Sequence, residues 1–169
     1  TWTPAAYVKA SNTDAQDRFG SSVSICGGLL LVGAPGEDSN ARGVDGFQGD
    51  DSQSEAGAAY LLERSGGVWD HAAYLKASNT DALDRFGAST DLGGERLVIG
   101  APGEDSAATD VGGNQDDNSQ SDAGAAYVFV RSGGTWSQQA YLKASNTDVM
   151  DQFGTVAVSG DTVVAGAHF

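Results

Sequence analysis

Cysteine is almost absent. Cys26 stands alone in 169 residues, so no internal disulfide can brace the chain. Its repeat counterparts are Gly93 and Gly160, which reads as a small residue near a turn; no basic neighbour is present to lower a thiol pKa. Histidine occurs twice, at His71 and His168, with no second histidine at ligand spacing, which argues against a zinc site. Basic residues number 9 against 23 acidic ones, a formal net charge of −14. A chain this acidic repels phosphate backbones and anionic lipid, which excludes nucleic-acid partners and leaves cations, basic protein patches or neutral sugars. No apolar run approaches the length of a membrane span, so no membrane insertion is expected. There is no Gly-x-Ser-x-Gly elbow, no phosphate loop and no paired nucleophile and base, so nothing points to an enzyme.

What the chain has is glycine, 24 residues of it against 3 prolines, and a period. The segment YVKASNTDAQDRFG from Tyr7 returns as YLKASNTDALDRFG from Tyr74 and as YLKASNTDVMDQFG from Tyr141, a step of 67 residues each time. A fixed period of this kind marks a repeat architecture whose units bury their faces against neighbours. Units of about 19–85 and 86–152, with a partial unit 153–169, follow residues 1–18, which read as the last strand and loop of a preceding unit.

Each unit offers four strands. In the first they are Ser21–Cys26, Leu29–Val32, Ala58–Glu63 and Trp69–Lys76; in the second Ala88–Leu92, Leu97–Ile99, Ala125–Arg131 and Trp136–Lys143. The third stops after Thr155–Ser159 and Thr162–Ala165. The first strand is built from small and β-branched residues, the second is continuously apolar, and the fourth mixes aromatics with polar residues. Small inside, apolar in the middle and polar outside describes a blade, so the expected fold is an all-β propeller of four-stranded antiparallel blades. A β-solenoid is the competing architecture, with shorter repeats and no long polar insert. Joining the ends always leaves a blade without its third strand, so the chain reads as part of a larger ring.

These residues resemble the FG-GAP repeat of the integrin α-subunit propeller and its bacterial relatives. Phe19-Gly20 with Gly33-Ala34-Pro35, and Phe86-Gly87 with Gly100-Ala101-Pro102, match both halves of that motif. Phe153-Gly154 matches the first half, while Gly166-Ala167-His168 departs from the second. The resemblance implies a secreted or cell-surface setting, bacterial in type, with roles in adhesion or ligand binding. In the integrin pattern, calcium loops lie between the first two strands. Here those hairpins are short, Cys26-Gly27-Gly28, Gly93-Gly94-Glu95 and Gly160-Asp161, so the family's calcium residues have no counterpart.

In an up-and-down blade the loop from strand two to three and the loop between blades emerge on the same face. Of the 23 acidic residues, 18 fall in those loops. Glu37, Asp38, Asp50 and Glu55 in the first long loop are matched by Glu104, Asp105, Asp117 and Asp122 in the second. Such oxygen-rich loops suit Ca2+, and these eight are the candidate ligands; the competing reading is that they bond backbone amides and keep a long loop soluble. Asn12, Asp14 and Asp17 with their copies read as Asx-turn and capping residues. The repeated Trp2, Trp69 and Trp136 read as packing between blades, with a sugar-stacking platform as the alternative. The expected function is a non-catalytic binding or adhesion module whose partner is a protein, a glycan or further blades of the same protein. An accessory domain of a secreted enzyme and a structural fibre or surface component are the alternatives.

Overall fold

Alternating apolar residues broken by glycine pairs fold into ten strands, and the computed structural model, which describes residues 1–168, contains no helix among them. The first blade comprises β1 (Ser22–Cys26), β2 (Leu29–Ala34), β3 (Ala58–Ser65) and β4 (Val68–Leu75), hydrogen-bonded in that order and antiparallel throughout. The second repeats it with β5 (Ser89–Gly93), β6 (Arg96–Ala101), β7 (Ala125–Ser132) and β8 (Thr135–Leu142). A two-stranded sheet, β9 (Thr155–Ser159) with β10 (Thr162–Gly166), is the inner half of a third. The sheets do not close on themselves, as expected of part of a propeller ring.

The first strands β1, β5 and β9 lie side by side, so they are the inner ones. Their small side chains bond across blades: Ser24 Oγ donates to Asp91 Oδ1 at 2.8 Å, and Asp91 Oδ2 accepts the Val158 amide at 2.8 Å. Ser22 Oγ donates to the Gly87 carbonyl at 2.8 Å. The core fills the space between sheets. Leu31, Leu61 and Leu75 of the first blade meet Leu97, Ile99, Tyr127, Phe129 and Trp136 of the second. Each fully buried aliphatic or Phe side chain contributes about 1.5–3 kcal/mol, so these interfaces dominate the stability.

What a neighbouring blade covers can be read by repeat position. Leu92 is 5 % exposed between blades, whereas its counterpart Ile25, on the outer face of the first blade, is 65 % exposed. At the other end Val164 is 63 % exposed where Leu31 and Val98 are fully buried. The same contrast orders the tryptophans: Trp136 is buried, Trp69 packs against the edge of a core cluster, and Trp2 is exposed. Packing between blades is thus what this position does when a neighbour is present.

The segment ahead of the first blade has no partner strand in this chain. Residues 1–10 form no strand, and Trp2 and Tyr7 are exposed. A fourth strand needs a third strand to supply its hydrogen bonds, and this chain holds none for that segment.

Candidate functional site

The loops at one end of the blades interlock, and local hydrogen bonding sets each of them. In the inter-blade loops, Asp17, Asp84 and Asp151 each accept the amide three residues back, from Asp14, Asp81 and Asp148, at 2.8–2.9 Å. In the long loops Asp38 Oδ1 accepts the Glu55 amide and Asp105 Oδ1 the Asp122 amide, both at 2.7 Å. Asp50 and Asp117 each accept the amide two residues on, from Ser52 and Ser119. These are the Asx and capping roles the residue types allow. The two kinds of loop then join across blades. The Leu83 amide donates to the Ser54 carbonyl at 2.8 Å, the Met150 amide to Ser121 at 2.9 Å, and Asn118 Nδ2 to Asp81 Oδ2 at 2.9 Å.

Beneath this surface lies a buried polar network, present twice. Lys76 Nζ donates to Glu37 Oε2 at 2.9 Å and to the Ser39 carbonyl at 2.7 Å. Asn12 Nδ2 donates to the other oxygen, Glu37 Oε1, at 2.9 Å, while the Tyr60 hydroxyl donates to Asn12 Oδ1 at 2.6 Å. In the second blade Lys143 Nζ donates to Glu104 Oε2 at 2.7 Å, Asn79 Nδ2 to Glu104 Oε1 at 2.9 Å, and the Tyr127 hydroxyl to Asn79 Oδ1 at 2.7 Å. The Tyr141 hydroxyl adds a bond to Glu104 Oε1 at 2.8 Å. Both lysines are inaccessible at the side chain and both glutamates are 1 % exposed.

Burial opposes ionisation of Glu37, but the Lys76 charge and hydrogen bonds from Lys76, Tyr74 and Ser39 outweigh it and hold its pKa below the ordinary value. Burial pushes the Lys76 ammonium down, against the pull of Glu37. A different balance holds at Asp84, where burial pushes the carboxyl up to about 8; the charges of Glu104, Asp81 and Asp105 add to it, and the Asp81 amide opposes it.

The eight candidate calcium ligands do not converge. Glu37 and Glu104 are engaged by lysine and asparagine, and Asp38 and Asp105 by backbone amides. Glu55 stands 3.4 Å from both Arg18 and Arg85, and Asp122 is 4.0 Å from Arg85. Among the described residues no group of three or more His, Cys, Asp or Glu could hold a metal ion. As arranged, these side chains do not fit a calcium cage.

Asn12 and Asn79 also depart from expectation, since they bridge to Glu37 and Glu104 rather than cap their own loops. The network was not anticipated, yet it left a trace. The chain has three lysines, Lys9, Lys76 and Lys143, and all occupy the same repeat position. In so acidic a protein a cation confined to one position signals a fixed partner.

Family comparison finds the FG-GAP repeat over residues 2–62, 69–129 and 136–169. The chain belongs to the FG-GAP repeat family. No curated protein matches it. The FG-GAP matches begin at Trp2, Trp69 and Trp136, so the family's repeat starts on the fourth strand of one blade and runs through the third strand of the next.

The structure gives the FG-GAP motif a physical meaning. Phe86 is fully buried and meets Tyr127 edge-on, ring centroids 5.3 Å apart; Phe19 meets Tyr60 the same way at 5.4 Å. The glycine of the GAP half lies against the FG glycine of the next blade. A Cβ on Gly33 would stand 2.0 Å from the Gly87 carbonyl oxygen, and one on Gly100 1.8 Å from that of Gly154. Only glycine lets the blades approach this closely. Within each blade the halves also bond, Gly20 N to the Gly33 carbonyl and Gly87 N to that of Gly100, each at 3.0 Å.

Proposed function

We propose that this FG-GAP propeller segment is a non-catalytic module of the cell surface or extracellular space that binds a basic patch on a protein partner through its loop face. The reading rests above all on the uneven placing of charge. Asp51, Asp110, Asp116 and Asp148 lie exposed in the interlocked loops, and none enters an ion pair among the described residues. Of the arginines there, Arg18 and Arg85 pair with Glu55 and Asp122, and Arg42 lies exposed in the first long loop as a lone cation against these four carboxylates. Uncompensated charge on a hydrogen-bonded scaffold costs self-repulsion that a cationic partner relieves, and loops on a rigid framework are where binding residues concentrate. The FG-GAP family supplies the class, a propeller-type binding or structural module.

The test replaces Asp51, Asp110, Asp116 and Asp148 together by asparagine in the full-length protein and measures attachment to matrix proteins or cells at low and at physiological salt. Attachment should weaken at least tenfold at low salt, and the wild-type protein should lose its advantage as salt rises. Attachment that is equal for both proteins at every ionic strength would refute the reading.

A further inference from the structure

The buried network holds the parts of a reaction. In the second blade, a single carboxylate, Glu104, receives an amine on one oxygen, Lys143 Nζ at 2.7 Å, and a carboxamide nitrogen on the other, Asn79 Nδ2 at 2.9 Å. The carbonyl of that carboxamide is polarised by the Tyr127 hydroxyl at 2.7 Å. The lysine side chain is inaccessible, Asn79 is 6 % exposed, and Tyr127 is fully buried. The first blade repeats each element with Lys76, Glu37, Asn12 and Tyr60. The asparagine amide satisfies the carboxylate's second oxygen and the phenol satisfies the amide's oxygen, so the bonds that hold this buried ion pair also bring an amine, a base and a polarised carboxamide together.

We propose that the fold joins Asn79 to Lys143, and Asn12 to Lys76, by side-chain amide bonds formed without any other protein. In the second blade Glu104 takes the ammonium proton, and the neutral Nζ adds to Cγ of Asn79. The carbonyl electron pair moves onto Oδ1, where the Tyr127 hydroxyl stabilises it. Glu104 passes protons from Nζ to Nδ2, the Cγ–Nδ2 bond breaks, and the carbonyl re-forms. One C–N bond forms and one breaks, and no electron is gained or lost. Glu104 ends as the carboxylate it began as, and the nitrogen leaves as ammonium carrying the lysine's proton. Exclusion of water favours both the neutral amine nucleophile and the protonated phenol, and in the first blade burial acts in those directions on Lys76 and Tyr60. The product would tie the loop entering β5 to the residue after β8, so that each bond clasps the first and last strands of one blade.

Intact mass spectrometry of the denatured native protein tests this. Each bond removes one ammonia, about 17 Da, so the protein should fall about 34 Da below its sequence mass. Protease digestion should give branched peptides containing Asn79 with Lys143 and Asn12 with Lys76. The Lys143→Arg variant keeps a cation for Glu104 but has no primary amine, and its deficit should halve to about 17 Da. A wild-type mass equal to the sequence mass, with linear peptides only, would overturn the proposal, whether or not the variant folds. A branched peptide at one pair alone would overturn it for the other.

Discussion

Asp84 offers the sharpest test of the electrostatics. Its side chain is buried, with the residue 2 % exposed, and Oδ2 is committed to the Asp81 amide at 2.8 Å. Burial, then the neighbouring charges of Glu104, Asp81 and Asp105, raise its pKa from 3.8 to about 8. The folded protein therefore keeps a proton here between pH 4 and 8 that the unfolded chain has lost. The stability contributed by that proton is fully present below pH 3.8 and is lost as pH rises to about 8. Four pH units at about 1.4 kcal/mol each set a ceiling of roughly 5–6 kcal/mol. Relaxation and water penetration, expressed as an effective dielectric nearer 20, bring the working figure to about 2–3 kcal/mol. Asparagine keeps the shape and an oxygen to accept the Asp81 amide but carries no charge. Asp84→Asn should therefore stabilise the protein by about 2–3 kcal/mol at pH 8 and by little at pH 4. Urea unfolding of both proteins at pH 4.5, 6 and 8 measures the difference, which isolates Asp84 from groups such as Asp91 whose pKa is lowered. A variant less stable than wild type at pH 8, or a difference that does not grow with pH, would refute the reasoning.

Two further substitutions probe the backbone. Gly100→Ala places a Cβ 1.8 Å from the Gly154 carbonyl oxygen, so it should cost about 3 kcal/mol in urea unfolding as the third sheet is pushed off the second. Gly28→Ala, whose nearest neighbour is the Arg64 carbonyl oxygen at 3.7 Å, should cost under about 0.5 kcal/mol and serves as the control. Leu83 is exposed and held at a φ of +70°, a left-handed conformation that a leucine adopts at a cost of about 1–2 kcal/mol. Leu83→Asn should raise the melting temperature, since asparagine tolerates this region and the backbone bond from residue 83 to Ser54 is kept.

The sequence alone determined the repeat, the strand order and the antiparallel blade. A 67-residue period and the change from small to apolar to mixed residues across one unit are local properties, and they survive in the hydrogen-bonded order from β1 to β4. The motif was equally legible, because FG and GAP are contiguous pieces. Tertiary structure decided the rest. That Gly33 meets Gly87 depends on one blade lying against the next, and that Phe86 seats on Tyr127 depends on a contact within one blade between residues far apart in sequence. The carboxylates show the divide most plainly. In sequence Glu37, Asp38, Asp50 and Glu55 are equivalent oxygen donors in one loop, but folding sends Glu37 inward to Lys76, gives Asp38 to a backbone amide and turns Glu55 toward two arginines. Partners 39 residues apart along the chain, as Lys76 and Glu37 are, leave no local pattern, and which carboxylate is neutralised inside and which is left to the solvent is settled only when the blade closes over it.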